Sequence, residues 1–249
     1  ATMFVPPRST PIFIFIKLLL PLPHYTTVCK DKNFMNLSMK LRTIFLLILF
    51  FTSCSKPTAD ESAVRMLAER IVPDYSSGLV FRQMEDSVDV FELYSEDGKV
   101  VICGNNANSM AVGLNHYLKY HCGVTVSWYT DEPVEYPSVM PSVDVPVRVE
   151  ARVKERFFLN YCTFGYTMPW GKWEDWERFI DWMALNGVTM PLAITGQEAV
   201  WQKVWMRHGL TDEQVRNYFS GPAHLPWHRM SNIDYWQGPL PQEWIDGQA

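Results

Sequence analysis

The chain has 249 residues, 47% apolar, 14% aromatic and 20% charged, with a formal charge of −5. This composition can bury a sizeable core and excludes an acidic disordered chain, while the negative charge argues against a nucleic-acid surface. Residues 1–54 hold six of the 22 bases and one of the 27 acids, leaving residues 55–249 with 16 and 26, a formal −10. That balance disfavours anionic partners and suits a neutral substrate.

Residues 1–38 begin with Ala1 and carry an apolar patch from Ile12 to Leu20. They read as an over-extended reading frame, with a two-stage anchor as the alternative. Met39-Lys-Leu-Arg42 then leads into the apolar run Ile44 to Phe51, too short for a membrane span and right for an export signal over 39–54. Phe51-Thr-Ser-Cys54 resembles a lipoprotein box, in which Cys54 is lipidated and anchors the mature chain to a membrane. An ordinary secretory signal is the other reading. Both place the chain outside the cytoplasm, as a periplasmic, outer-membrane or cell-surface protein. Of the remaining cysteines, Cys103, Cys122 and Cys162 lack metal-ligand spacing. A Cys103–Cys122 disulfide and three small buried thiols are both compatible with the sequence.

A polar tether opens the segment 55–150, which reads as a small α/β domain. Helical apolar spacing runs over 61–72, at Val64, Leu67, Ala68 and Ile71, and stops at Pro73. Strands are expected over 79–81, 88–94 and 99–103, with Asp97-Gly98 as a hairpin signal between the last two. Asn105-Asn-Ala-Asn-Ser109 opens a helix over 110–120, closed by Gly123, and a further strand is expected over 125–129. Gly104 before that helix has neither GxGxxG nor a Walker lysine, so it reads as a strand–turn–helix junction and not a phosphate cradle. The proline-punctuated stretch 133–146 reads as a linker.

Residues 151–249 have another texture, with nine of the ten tryptophans between Trp170 and Trp244. Strands are expected over 156–163 and 188–195, and helices over 174–185 and 196–208. This β-α-β-α rhythm is that of a parallel barrel or open α/β sheet. The first two strands end in Asn160-Tyr-Cys-Thr163 and Thr195-Gly-Gln-Glu198, and carboxyl ends of barrel strands form the active-site face. Residues 221–241 read as a long aromatic, proline-rich loop. Helically spaced Trp176, Trp182, Trp201 and Trp205 suit a core. Trp227 and Trp236 suit a sugar surface, since a pyranose lays an apolar C–H face on an aromatic ring. His208, His224 and His228 lie on separate elements and read as structural or loop-edge residues, with no metal site.

The motifs Arg156-Phe-Phe-Leu-Asn-Tyr-Cys-Thr163, Trp173 through Asp181-Trp-Met-Ala-Leu-Asn-Gly187, Gly196-Gln-Glu-Ala-Val-Trp201, Gly221-Pro-Ala-His-Leu-Pro-Trp-His-Arg-Met-Ser-Asn232 and Gly238-Pro-Leu-Pro-Gln-Glu-Trp244 strongly resemble the α-N-acetylglucosaminidase family, glycoside hydrolase family 89. The resemblance spans roughly residues 60–249. It implies a small N-terminal α/β domain followed by a (β/α)8 barrel of the TIM type, of which this chain carries only the first βα units. It also implies retaining release of terminal α-linked N-acetylglucosamine from glycans, with no cofactor. Asn160, Cys162 and Trp227 are the matching sugar-pocket positions, joined by Gln197 and Glu198 as further candidates.

The family's catalytic pair is two glutamates at later strand ends, expected beyond Ala249, so no catalytic residue is expected here and the chain reads as an N-terminal fragment. Glu198 has three readings: a ligand for substrate hydroxyls, an acid stabilising its helix N-terminus, or a proton donor. Two other functional readings stand beside hydrolysis: a glycan-binding surface lipoprotein without turnover, and a non-functional remnant.

Overall fold

The computed structural model describes residues 57–130 and 134–248. The export signal, Cys54 and the reading-frame expectation for 1–38 lie outside the described residues. None of the described helices is long and apolar enough to cross a membrane.

Helix α1 (Ala59–Ile71) starts in a capping box, in which Thr58 Oγ1 accepts from Glu61 N–H and Glu61 Oε2 accepts from Thr58 N–H. Its buried stripe, Val64, Leu67 and Ala68, follows the expected i, i+3, i+4 spacing. Strands β1 (Leu79–Gln83), β2 (Val90–Glu96), β3 (Lys99–Gly104) and β4 (Val147–Glu150) make one sheet in the order β1-β3-β2-β4. β1 runs parallel to β3; β2 pairs antiparallel with both β3 and β4. Central β3 is buried on both faces, which its unbroken apolar run Val100–Cys103 allows. Asp97 and Gly98 both take positive φ, 51° and 73°, in the tight turn that joins β2 to β3.

Helix α2 (Ala107–Tyr120) lies on β2 and β3. It comes close because Gly113 has no side chain: a Cβ there would stand 2.7 Å from Ile102 Cγ2. Asn106 caps it, accepting from Ser109 N–H at 2.9 Å, and Asn105 Oδ1 accepts from Val90 N–H and Ser109 Oγ. The Gly104-Asn-Asn turn therefore spends its polar groups on the helix start.

Two expectations fail in this region. Residues 125–129 form no strand and join neither sheet. Trp128 instead packs on Phe179, ring centroids 4.7 Å apart. The stretch expected as a linker is a strap: Val134, Tyr136 and Met140 pack on the core and Val143 is buried within it. Tyr117 Oη donates to Pro141 C=O at 2.7 Å, Tyr136 Oη donates to Ile71 C=O, and Val143 N–H donates to Ser95 Oγ. Prolines kept this segment out of a ladder without loosening it, because the residues between them are apolar.

Strands β5 (Phe157–Phe158) and β6 (Met190–Pro191) pair in parallel around helix α4 (Trp173–Leu185). Both are far shorter than expected. Pro191 has no N–H to give, and the ladder closes with Leu192 N–H to Phe158 C=O at 2.8 Å. α4 buries Phe179, Met183 and Leu185; Leu185 belongs to the same apolar cluster as α1, α2 and the sheet. Two arginines join the halves. Arg70 grips Asp181 through Nε and Nη2 at 2.7 and 2.6 Å. Arg156 reaches Asp89 at 2.6 Å, Asn108 at 3.2 Å and the Gly187 carbonyl.

Helices α5 (Gln197–Arg207), α6 (Asp212–Tyr218), α7 (Leu225–Arg229) and α8 (Gln242–Gly247) close around Ala199, Val215, Phe219, Leu225, Leu240 and Ile245. Residues 221–232 are thus no open loop. A 3₁₀ turn (Pro222–His224) runs straight into α7, each with a proline in its first turn, where the missing N–H costs nothing.

Candidate active-site face

Because β5 and β6 are parallel, both carboxyl ends open on one side of the pair. On the β5 side Asn160 is exposed, and its Oδ1 accepts from Cys162 N–H at 2.9 Å. This bond turns the chain into the short helix α3 (Thr163–Thr167), for which Cys162 is the N-cap. Cys162 is a partly buried free thiol; Cys103 and Cys122 are also free, so of the two sequence readings the structure has thiols and not a disulfide. On the β6 side Gly196 takes φ +83° and starts α5 with Gln197 and Glu198 in its first turn. Gln197 Oε1 is buried without a hydrogen-bond partner.

Glu198 is only 1% exposed, and Arg229 Nε and Nη2 donate to its two oxygens at 2.7 Å each. The arginine side chain is itself 5% exposed. This is a bidentate buried pair, which ties the β6 end to α7. A carboxylate so engaged presents no edge to solvent. The geometry gives it an anchoring part.

Trp227, two residues before Arg229, is half-buried on α7. Tyr166 of α3 meets it edge-on, with centroids 5.2 Å apart and planes at 87°. Glycine makes this meeting possible: a Cβ on Gly165 would stand 2.8 Å from Ala223 C=O and 2.9 Å from Pro226 Cγ. Trp227 is therefore linked to the β5 end through Tyr166 and to the β6 end through Arg229 and Glu198. Trp236 is 55% exposed and approaches His224, whose Nε2 lies 3.1 Å from Gln237 Oε1. Among the described residues no three His, Cys, Asp or Glu side chains are grouped to hold a metal ion.

Residues 62–142 match the profile of the α-N-acetylglucosaminidase N-terminal domain, and residues 156–249 that of its TIM-barrel domain. The chain belongs to the α-N-acetylglucosaminidase family.

It is 40% identical over 146 residues to human α-N-acetylglucosaminidase, covering 59% of this chain and 20% of that protein. A family 89 glycoside hydrolase from Clostridium perfringens, in complex with 2-acetamido-1,2-dideoxynojirmycin, superposes with a TM-score of 0.71 at 36% identity, over 76% of this chain and 22% of its own. A variant of the Clostridium perfringens enzyme with two Glu→Gln substitutions, in complex with its substrate GlcNAc-α-1,4-galactose, superposes with a TM-score of 0.70 at 31% identity, over 91% and 26%. The chain thus spans about a fifth to a quarter of the length of these family members.

Two participants in this α-N-acetylglucosaminidase-family face escaped sequence reasoning. Arg229 has no spacing relation to Glu198, 31 residues earlier, so nothing local marks the pair. Tyr166 lies between the strand expected over 156–163 and the helix expected over 174–185, on a stretch to which the sequence assigned no element. His228, expected as a structural or loop-edge residue, is 4% exposed among the rings of Trp201, Tyr218 and Phe219.

Burial depresses the His228 pKa below its ordinary 6.5, although Glu198 and Asp234 pull it upward. The unfolded chain therefore binds a proton here more readily than the native one. The neutral histidine favours the fold above the ordinary pKa, and that contribution is lost as pH falls through and below it. His228→Gln is expected to flatten this acid limb of stability. Urea midpoints measured from about pH 7.5 to about pH 5 should converge in the variant; parallel curves would clear His228 of the effect.

Proposed function

We propose that this chain supplies the N-terminal domain and first βα units of a glycoside hydrolase that releases terminal α-linked N-acetylglucosamine. The observation that carries this reading is the ordered match of both family domains to the stretches that here build the sheet layer and the parallel β5–β6 pair. The sugar would be held by Asn160, Cys162, Gln197 and Trp227: an amide for hydroxyls, a small thiol for close packing, a second amide with an unused acceptor, and a ring wall. Glu198 serves this pocket through Arg229.

Hydrolysis with retention needs an acid and a nucleophile about 5–5.5 Å apart. With Glu198 engaged by Arg229, we assign both roles to glutamates from strand ends other than β5 and β6. The double Glu→Gln variant of the Clostridium relative, caught with its substrate, supports that assignment. Proton donation to the leaving oxygen and attack on the anomeric carbon give a glycosyl-enzyme, which water then opens with the first glutamate as base.

The test is hydrolysis of an aryl α-N-acetylglucosaminide by the full product of the source gene, with the β-anomer as control. Early NMR spectra should show the α-sugar formed first. A β-product would overturn retention, and binding without turnover would favour the glycan-binding reading. Trp227→Ala is expected to lower kcat/KM by about tenfold or more through lost ring stacking; unchanged kinetics would remove Trp227 from the pocket.

We further propose export and lipidation at Cys54, on the strength of the n-region, apolar run and Phe51-Thr-Ser-Cys54. Cys54→Ser should shift the protein out of the membrane fraction, and unchanged fractionation would dismiss the anchor.

A further inference from the structure

A cleft of about 480 Å³ lies beside the candidate sugar pocket, at the N-terminal end of α4. Its volume falls within the range of about 300–1,000 Å³ typical of ligand sites. It is lined by Trp128 and Tyr129 from the N-terminal layer and by Tyr166 and Trp170 from the β5-to-α4 connection. Trp128 packs on Phe179, and Trp176, which also lines the cleft, stacks on Phe164 at 5.9 Å, so these two rings are fixed by the core. The outer three are exposed among the described residues: Tyr129 is 75% exposed, Tyr166 71% and Trp170 65%, so the packing of this segment leaves all three rings open.

Charge narrows the occupant. Asp175 and Arg178 both border the cleft and pair with each other at 2.9 Å, cancelling their net charge while leaving donor and acceptor groups at the rim. Rings plus a charge-balanced polar edge fit a neutral saccharide better than a phosphate, a nucleic acid or a charged peptide. Tyr166 supplies continuity. It lines the cleft and also meets Trp227, so a chain whose terminal sugar lies against Trp227 continues over Tyr166 into the cleft.

We propose that this cleft is an accessory glycan subsite, receiving the sugars on the leaving-group side of an α-N-acetylglucosaminide. The proposal rests on the reading of Trp227 as a wall of the sugar pocket. It makes Tyr129, Tyr166 and Trp170 specificity-determining residues for oligosaccharides over small aglycones.

The test compares Tyr129→Ala, Trp170→Ala and their double variant in the full gene product, on two substrates: an aryl α-N-acetylglucosaminide and an α-N-acetylglucosamine-capped oligosaccharide. For the double variant, kcat/KM on the oligosaccharide should fall at least about tenfold further than on the aryl glycoside. Trp170→Phe, which keeps a ring, should recover most of the loss. Equal losses on both substrates, or none on either, would overturn the subsite. If the wild type hydrolyses neither substrate, the hydrolytic reading fails. The cleft is then judged by calorimetric titration with the same oligosaccharide. Binding weakened about tenfold by the double variant sustains it; absent binding, or affinity indifferent to the substitutions, overturns it.

Discussion

Glu198→Ala is expected to cost about 3–5 kcal/mol of stability, because it strands the Arg229 guanidinium in a site where only 5% of its side chain meets solvent. Both hydrogen bonds of the pair vanish at once, which leaves two buried guanidinium donors without an acceptor. For a folded segment of this size, that loss lowers the thermal midpoint by roughly 10 °C or more. The control is the joint replacement Glu198→Leu with Arg229→Met, which removes the charges and the polar groups while keeping most of the volume. It should recover most of the stability, since a buried pair is often replaceable by apolar groups at little net cost. Urea unfolding of wild type, single and double variants closes the cycle. A single-variant loss below about 1 kcal/mol would mean the pair is solvated, as surface ion pairs are.

Phe219→Ala should lose about 3–5 kcal/mol for a different reason, an empty volume. Phe219 is fully buried where α5, α6, α7 and the 236–240 segment meet. Its ring faces Trp201 at 6.1 Å and His228 at 5.7 Å, and a Cβ on Gly238 would stand 2.8 Å from its carbonyl. Its neighbours Trp201 and His228 are rings of fixed shape that fill such a gap poorly, so the cost belongs at the upper end. Phe219→Leu, which keeps most of the volume, should cost under about 1.5 kcal/mol. Equal losses in the two variants would show that ring contacts, not volume, dominate. The alanine variant should also quicken exchange of the α7 amides and lower affinity at Trp227, which rides on that helix.

How much of this was legible follows from the range of the forces involved. The four long helices declared themselves because burial repeats every three or four residues, as at Val64, Leu67 and Ala68. The β2–β3 hairpin did so through Asp97-Gly98, whose positive φ angles leave few other uses for that dipeptide. α6 was available and overlooked: Thr211-Asp-Glu-Gln214 is a capping-box signature, and Thr211 and Gln214 do bond reciprocally. β4 was hidden because Val147–Glu150 is mostly exposed and gains its identity only from β2 beside it. In the site, the strand-end positions of Asn160, Cys162, Gln197 and Glu198 were readable from barrel topology. The engagement of Glu198 was not, because a buried charge is partnered by whatever the fold brings near.

Leu185 has a consequence for how the molecule comes apart. It is the last residue of the first barrel helix, yet it is fully buried in the apolar cluster of the sheet layer, with Asp181 one turn earlier clamped by Arg70 of α1. The covalent seam near residue 150 is therefore not the cooperative seam. A chain cut there would lose Leu185 from its interior and leave Arg70 and Asp89 without their ion-pair partners, and the remainder would lose the surface on which α4 is built. Protection against amide exchange in the last turn of α4 should follow the sheet and not β5 and β6, so that the barrel's first helix melts as part of the layer before it.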